Sequence, residues 1–149
     1  MGAINYFTSD YITLGVNCNY IESDDAFYFL QDDYEQIESI LKGENFYYFN
    51  VRMCPGYYEG FSIDIEYNFG YCLDGWQDRR QALKEITGIY NFLLKCINDF
   101  GLVACSPGWC TSYYDYNESI KRLKQAIKEM RQAVQNTPTW AQLRRAGEI

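Results

Sequence analysis

Residues Phe46 to Tyr67 read FYYFNVRMCPGYYEGFSIDIEY, two alternating runs joined by a Cys-Pro-Gly turn. In the second run Phe61, Ile63, Ile65 and Tyr67 fall on one face and Ser62, Asp64 and Glu66 on the other, the period-2 signature of a strand buried on one side. The first run is aromatic throughout. Its more apolar set is Tyr47, Phe49, Val51 and Met53, which leaves Tyr48, Asn50 and Arg52 opposite. The stretch therefore predicts a β-hairpin in a sheet with one wet, partly acidic face.

Working outward, Tyr11–Val16 alternates with Ile12, Leu14 and Val16 on one side and predicts a first strand. Asp24 to Leu30, DDAFYFL, stays open between a short strand and the start of a helix capped by Asp24. Asp32 and Glu35 stand at capping-box spacing ahead of Ile37, Ile40 and Leu41, and Gly43 follows as a stop, so a helix is expected over Asp33–Lys42. Beyond the hairpin, Leu83, Ile86, Tyr90, Leu93, Ile97 and Phe100 recur at three- and four-residue steps up to Gly101. They predict a helix from Arg79 to Asp99, capped by Asp74 or Asp78, with close packing at Gly88. Leu102–Cys105 is a short apolar strand that breaks at Ser106-Pro107-Gly108.

The last helix, Glu118–Gln135, has Asp115 or Asn117 as its cap. It carries Ile120, Leu123, Ile127, Met130 and Val134 as one apolar stripe, with Lys121, Arg122, Lys124, Lys128 and Arg131 around it. That stripe must dock on the body of the protein or on a second copy, so a homodimer through this helix is one expectation. Thr137-Pro138 ends it, and residues 136–149 read as a tail that folds back through Trp140 and Leu143. The element order matches a ferredoxin-like βαββαβ arrangement, an α+β antiparallel sheet with an added C-terminal helix. With 149 residues the chain has the size of a single domain, 1–149, that needs no staples.

The chain contains 6 cysteines and no histidine. Without histidine it lacks the commonest general base and the usual partner of a Ser or Cys nucleophile. Asp64 and Glu66 on one strand face allow paired-acid chemistry, but alternating acids are ordinary on a solvated face. No catalytic residues and no cofactor are expected, and the protein is read as a non-enzyme. Cys105 and Cys110, joined by Cys54 and Cys72, are the only metal-ligand candidates. No Cys-x-x-Cys pair supports them, so free thiols without a metal are expected. No export signal and no membrane-length apolar run is visible, and the expected setting is the cytoplasm.

Charge is the informative property. Residues 1–78 hold 14 acids against Lys42 and Arg52, while residues 79–149 hold 6 acids against 11 bases, within an overall net charge of −7. Of the 15 tyrosines, 11 fall in the acidic half. Carboxylates spread over a surface imitate the phosphates of a nucleic acid, and tyrosine supplies rigid contact area with a hydroxyl. A Tyr-rich core under an ordinary acidic coat would account for the same composition. Pro55-Gly56-Tyr57-Tyr58 and Pro107-Gly108-Trp109 are explained by turn chemistry, and as sites they would offer aromatic platforms to a base or a partner loop.

The segments YFTSDYITLG, PGYYEGFSIDIE, GLVACSPGWCTSYYD and NTPTW resemble small uncharacterised proteins of phages and conjugative elements of Gram-positive bacteria. The resemblance assigns no residue a role. Small acidic proteins of mobile elements include inhibitors of host defence, among them anti-CRISPR and anti-restriction DNA mimics. By context the resemblance implies an inhibitor of a host nucleic-acid-binding defence enzyme, a CRISPR effector nuclease or a restriction enzyme, that does not itself bind nucleic acid or membrane. The expected partner contacts are Asp24, Asp25, Asp32, Asp33, Glu35, Glu38, Glu59, Asp64 and Glu66, with Tyr57, Tyr58 and Trp109. The alternative is a protein that sequesters a small nucleotide signal between the two Pro-Gly-aromatic loops.

Overall fold

The computed structural model describes residues 13–15, 24–55, 61–67, 73, 75–105 and 114–147. In chain order these form β1 (Thr13–Gly15), α1 (Asp24–Lys42), β2 (Phe49–Pro55), β3 (Phe61–Tyr67), α2 (Trp76–Phe100), β4 (Val103–Cys105), α3 (Tyr116–Asn136) and α4 (Trp140–Arg145). The strands pair antiparallel in the order β2-β3-β1-β4. The hairpin has the alternation of its sequence as its register, with Val51 opposite Ile65, Arg52 opposite Asp64 and Asn50 opposite Glu66. Phe49, Val51, Ile63 and Ile65 are buried, and Asn50 and Arg52 are exposed.

The expected picture, a ferredoxin-like antiparallel sheet as the main layer with one helix added to it, is corrected by the weight of helix. α1, α2 and α3 run for 19, 25 and 21 residues, whereas β1 and β4 have 3 residues each. Strands that short offer little apolar face, and the buried side chains come mostly from helices: Ala82, Ile86, Ile89, Phe92, Leu93, Cys96 and Ile97 of α2, with Leu123, Ala126, Ile127, Met130 and Val134 of α3. α3 is thus a full member of the core. Its apolar stripe is buried within the chain, which removes the reason for expecting a dimer through it.

Element boundaries show why. The open segment 24–30 is helical, so α1 begins eight residues before the expected Asp32 cap, and Asp32 lies inside the helix. α2 starts at Trp76 with Gly75 as its N-cap and no side-chain cap bond. Asp78 sits in its first turn, where a negative charge complements the helix dipole. Gly101 closes α2 in the left-handed conformation, φ 70°, its N–H bonded to the Cys96 carbonyl. At Gly88 an added Cβ would lie 3.1 Å from Phe46 Cε1, the close approach expected there. Asp115 caps α3, accepting the Glu118 N–H at 2.8 Å.

The segment read as a tail is knitted into the body. Leu73 and the α3–α4 turn exchange main-chain bonds, Leu73 N–H to Pro138 O at 2.9 Å and Trp140 N–H to Leu73 O at 2.8 Å. Thr139 and Gln142 form a capping box at the start of α4. From α2, the buried Arg79 donates to the Thr137 carbonyl and, at 3.2 Å, to Gln142 Oε1. Leu143 is buried beneath α4.

Candidate functional site

α2 divides the molecule into two flanks. At about 100° per residue, Gln81, Glu85 and Gly88 lie on one side of the helix and Leu83, Thr87 and Tyr90 on the other. The first side meets the segment between α1 and β2, where Phe46 packs at Gly88 and the main-chain N–H groups of Tyr47 and Tyr48 donate to Glu85 Oε1 at 2.7 and 2.9 Å. The second side meets α3, where Arg131 donates to Thr87 Oγ1 at 3.1 Å.

Glu85 is the anchor of the first flank. Its residue is 4% exposed, and Oε2 is buried with no hydrogen-bond partner among the described residues. Burial raises its carboxyl above the usual carboxylate range, against the opposing pull of the Tyr48, Tyr47 and Phe49 N–H groups. One side chain thereby fixes three consecutive residues at the entrance to β2. Tyr48 donates its hydroxyl to Asp78 Oδ1, and burial, reinforced by Asp78, pushes the phenol well above its ordinary value. Tyr47 stands edge-on to Tyr48, ring centroids 4.9 Å apart at 82°, and is 69% exposed. A large aromatic ring is thus presented to solvent on a clamped backbone.

The helix that precedes it in the chain is acidic. α1 carries Asp24, Asp25, Asp32, Asp33, Glu35 and Glu38 against one base, Lys42. Glu35 and Glu44 are exposed and Glu38 is partly so, bonded to Lys42 at 3.4 Å. Asp33, expected at the surface, is buried. Asp64 and Glu66 register opposite Arg52 and Asn50 on the hairpin, away from the row of Val51 and Ile65. The side chains of Asp24, Asp25, Asp32, Asp64 and Glu66 lie outside what is described, as do Glu59, Tyr57, Tyr58 and Trp109 altogether.

The opposite flank is cationic. Lys121, Arg122, Lys124, Lys128 and Arg131 of α3 and Arg144 and Arg145 of α4 face only Glu118 and Glu129 on their own elements. Arg122 bonds Glu118 at 3.2 Å and stacks over Tyr114, 3.8 Å from the ring centroid. Among the described residues the exposed acids Glu35 and Glu44 stand on α1 and just after it, and the exposed bases Lys121, Arg122, Lys124, Lys128 and Arg131 on α3.

Glu85 is sealed beneath the main chain it binds, and Tyr48 is held as a donor to Asp78. No group of three or more Cys, Asp or Glu side chains among the described residues could hold a metal ion. The register also separates two of the expected candidates, because Cys54 pairs with Ser62 on the β2 edge and Cys105 with Thr13 on the β4 edge. Three strand spacings, about 14 Å, lie between them. Cys96 is a buried free thiol on the core side of α2, pushed up to about 12 by burial.

Tyr47, Tyr48, Asp78 and Glu85 were not among the expected contacts. The available signal was Glu85 itself, an acid placed between Ala82 and Ile89 on the buried side of α2. No helix among the described residues is long and apolar enough to cross a membrane. No protein-family model matches the chain, and no curated protein or solved structure matches it.

Proposed function

We propose that the protein is a non-enzymatic inhibitor whose acidic, tyrosine-bearing flank occupies the cationic nucleic-acid groove of a host defence enzyme. The observation that carries this reading is Tyr47, held out into solvent by the Glu85 clamp, in a segment that follows the acidic helix α1 with its exposed Glu35 and the exposed Glu44. Spaced carboxylates draw in a Lys- and Arg-lined groove through the same field that attracts its nucleic acid. A rigid, exposed tyrosine gives contact area at low entropic cost where a base would otherwise stack. The resemblance of several segments to proteins of phages and conjugative elements supports the same reading, with the cytoplasm as the place where target and inhibitor meet.

The test is competition. The protein is immobilised and exposed to the heparin-binding fraction of a Gram-positive bacterial lysate, and retained proteins are challenged with duplex DNA and with salt. The reading expects a retained protein that both duplex DNA and rising salt displace, because the two anions share one groove. Retention indifferent to both would contradict it.

A further inference from the structure

On the opposite flank the geometry points to a binding site for a phosphorylated aromatic small molecule of the nucleotide class, in the groove between α2 and α3. The groove has a volume of about 420 Å³ and is lined by Tyr90, Lys124, Ile127, Lys128 and Arg131. That volume and composition, an apolar floor with a few convergent polar groups, fit a small ligand. Ile127 is buried and Tyr90 half-buried, so they form the floor, while the three cations are exposed at the rim. The inference does not depend on the inhibitor reading, which concerns the other side of α2.

Two further features single out an anion. Lys124, Lys128 and Arg131 follow one another at four- and three-residue steps, so their charges crowd one face of α3 and repel. Among the described residues none of the three forms an ion pair. The nearest acids in sequence are committed elsewhere, Glu118 to Arg122 at 3.2 Å and Glu129 to Gln125 Nε2 at 3.1 Å. In addition, Arg131 is positioned by its bond to Thr87 Oγ1 at 3.1 Å, which leaves the rest of its planar fork for a phosphate. The Tyr90 ring supplies the surface on which a base would lie.

Calorimetric titration of the full chain with ATP, adenosine and tripolyphosphate tests the assignment. ATP should bind, with adenosine and tripolyphosphate each at least about tenfold weaker, since only ATP uses both the rim and the floor. In Lys124→Glu/Lys128→Glu the ATP affinity should fall at least about tenfold while the melting temperature stays that of the wild type. Should that variant unfold, Lys128→Gln, which only removes a charge from an exposed position, should still weaken ATP and not adenosine. No ATP binding at about 1 mM, tripolyphosphate binding as tightly as ATP, duplex DNA binding in place of ATP, or ATP affinity untouched by these substitutions would each overturn the assignment.

Discussion

Glu85 Oε1 accepts the main-chain N–H of Tyr47 at 2.7 Å across 38 residues of sequence, so an α2 side chain dictates where the exposed tyrosine of the acidic flank stands. The same oxygen takes the Tyr48 N–H at 2.9 Å, and the hairpin enters its sheet from this clamp. A buried carboxylate does here what a turn motif does elsewhere. Its removal should be felt both in stability and at the surface.

Replacing Glu85 by Ala takes the carboxylate acceptor from these part-buried N–H groups, and should destabilise the protein by about 1–3 kcal/mol in urea denaturation. Glu85→Gln retains an acceptor for them and should cost less than about 1 kcal/mol. Equal losses in the two variants would show that the hydrogen bonds are not what Glu85 contributes.

The pH dependence has a definite sign. Burial raises the folded-state carboxyl of Glu85, so the folded protein holds that proton more tightly than the unfolded chain does. The resulting stabilisation is fully present below the unfolded carboxylate value and is lost as pH rises through the raised one. The wild type should therefore gain stability relative to Glu85→Gln as pH falls from neutral into the carboxylate range. A difference independent of pH, read from paired urea melts, would contradict the burial argument.

Ile127→Ala should destabilise by about 2–5 kcal/mol, because Ile127 is packed in the core that α3 shares with α2. Sedimentation should give the same mass for wild type and variant. Wild-type dimers that the substitution dissociates would mean that the stripe serves a second copy after all.

Cys96 should resist alkylation in the native protein and react once it is unfolded, since its thiol is buried and its ionisation is pushed up to about 12. Peptide mapping after iodoacetamide treatment, with and without denaturant, reads this residue by residue. Native labelling of Cys96 at the unfolded rate would place α2 differently.

Local periodicity made the hairpin legible. The alternation in Phe61–Tyr67 gives the strand its bounds and face, since burying Ile63 and Ile65 satisfies local and tertiary demands together. The start of α1 was not legible, because Phe27, Tyr28 and Phe29 favour strand locally and only the continuing helix resolves them. The core face of α2 was displaced from the expected stripe: Ile89, Phe92 and Cys96 are buried, while Leu83, Tyr90 and Phe100 are half-buried between elements. The Glu85 clamp joins residues 38 apart, and a three- or four-residue period carries no information about such a pairing. The segregation of acids and bases was visible in the sequence.

The central claim, that the acidic and tyrosine-bearing flank is the working surface, is tested most directly by matched charge reversals in the DNA-displaceable capture assay. Glu35→Lys/Glu38→Lys/Glu44→Lys changes the acids of α1 and the residue just after it, and Lys121→Glu/Lys124→Glu/Lys128→Glu changes α3 by the same number of substitutions. The account predicts that the first variant loses the retained protein at least about tenfold with its melting temperature nearly unchanged, while the second retains it. Loss on reversing α3, with binding preserved when the acids are reversed, would contradict it.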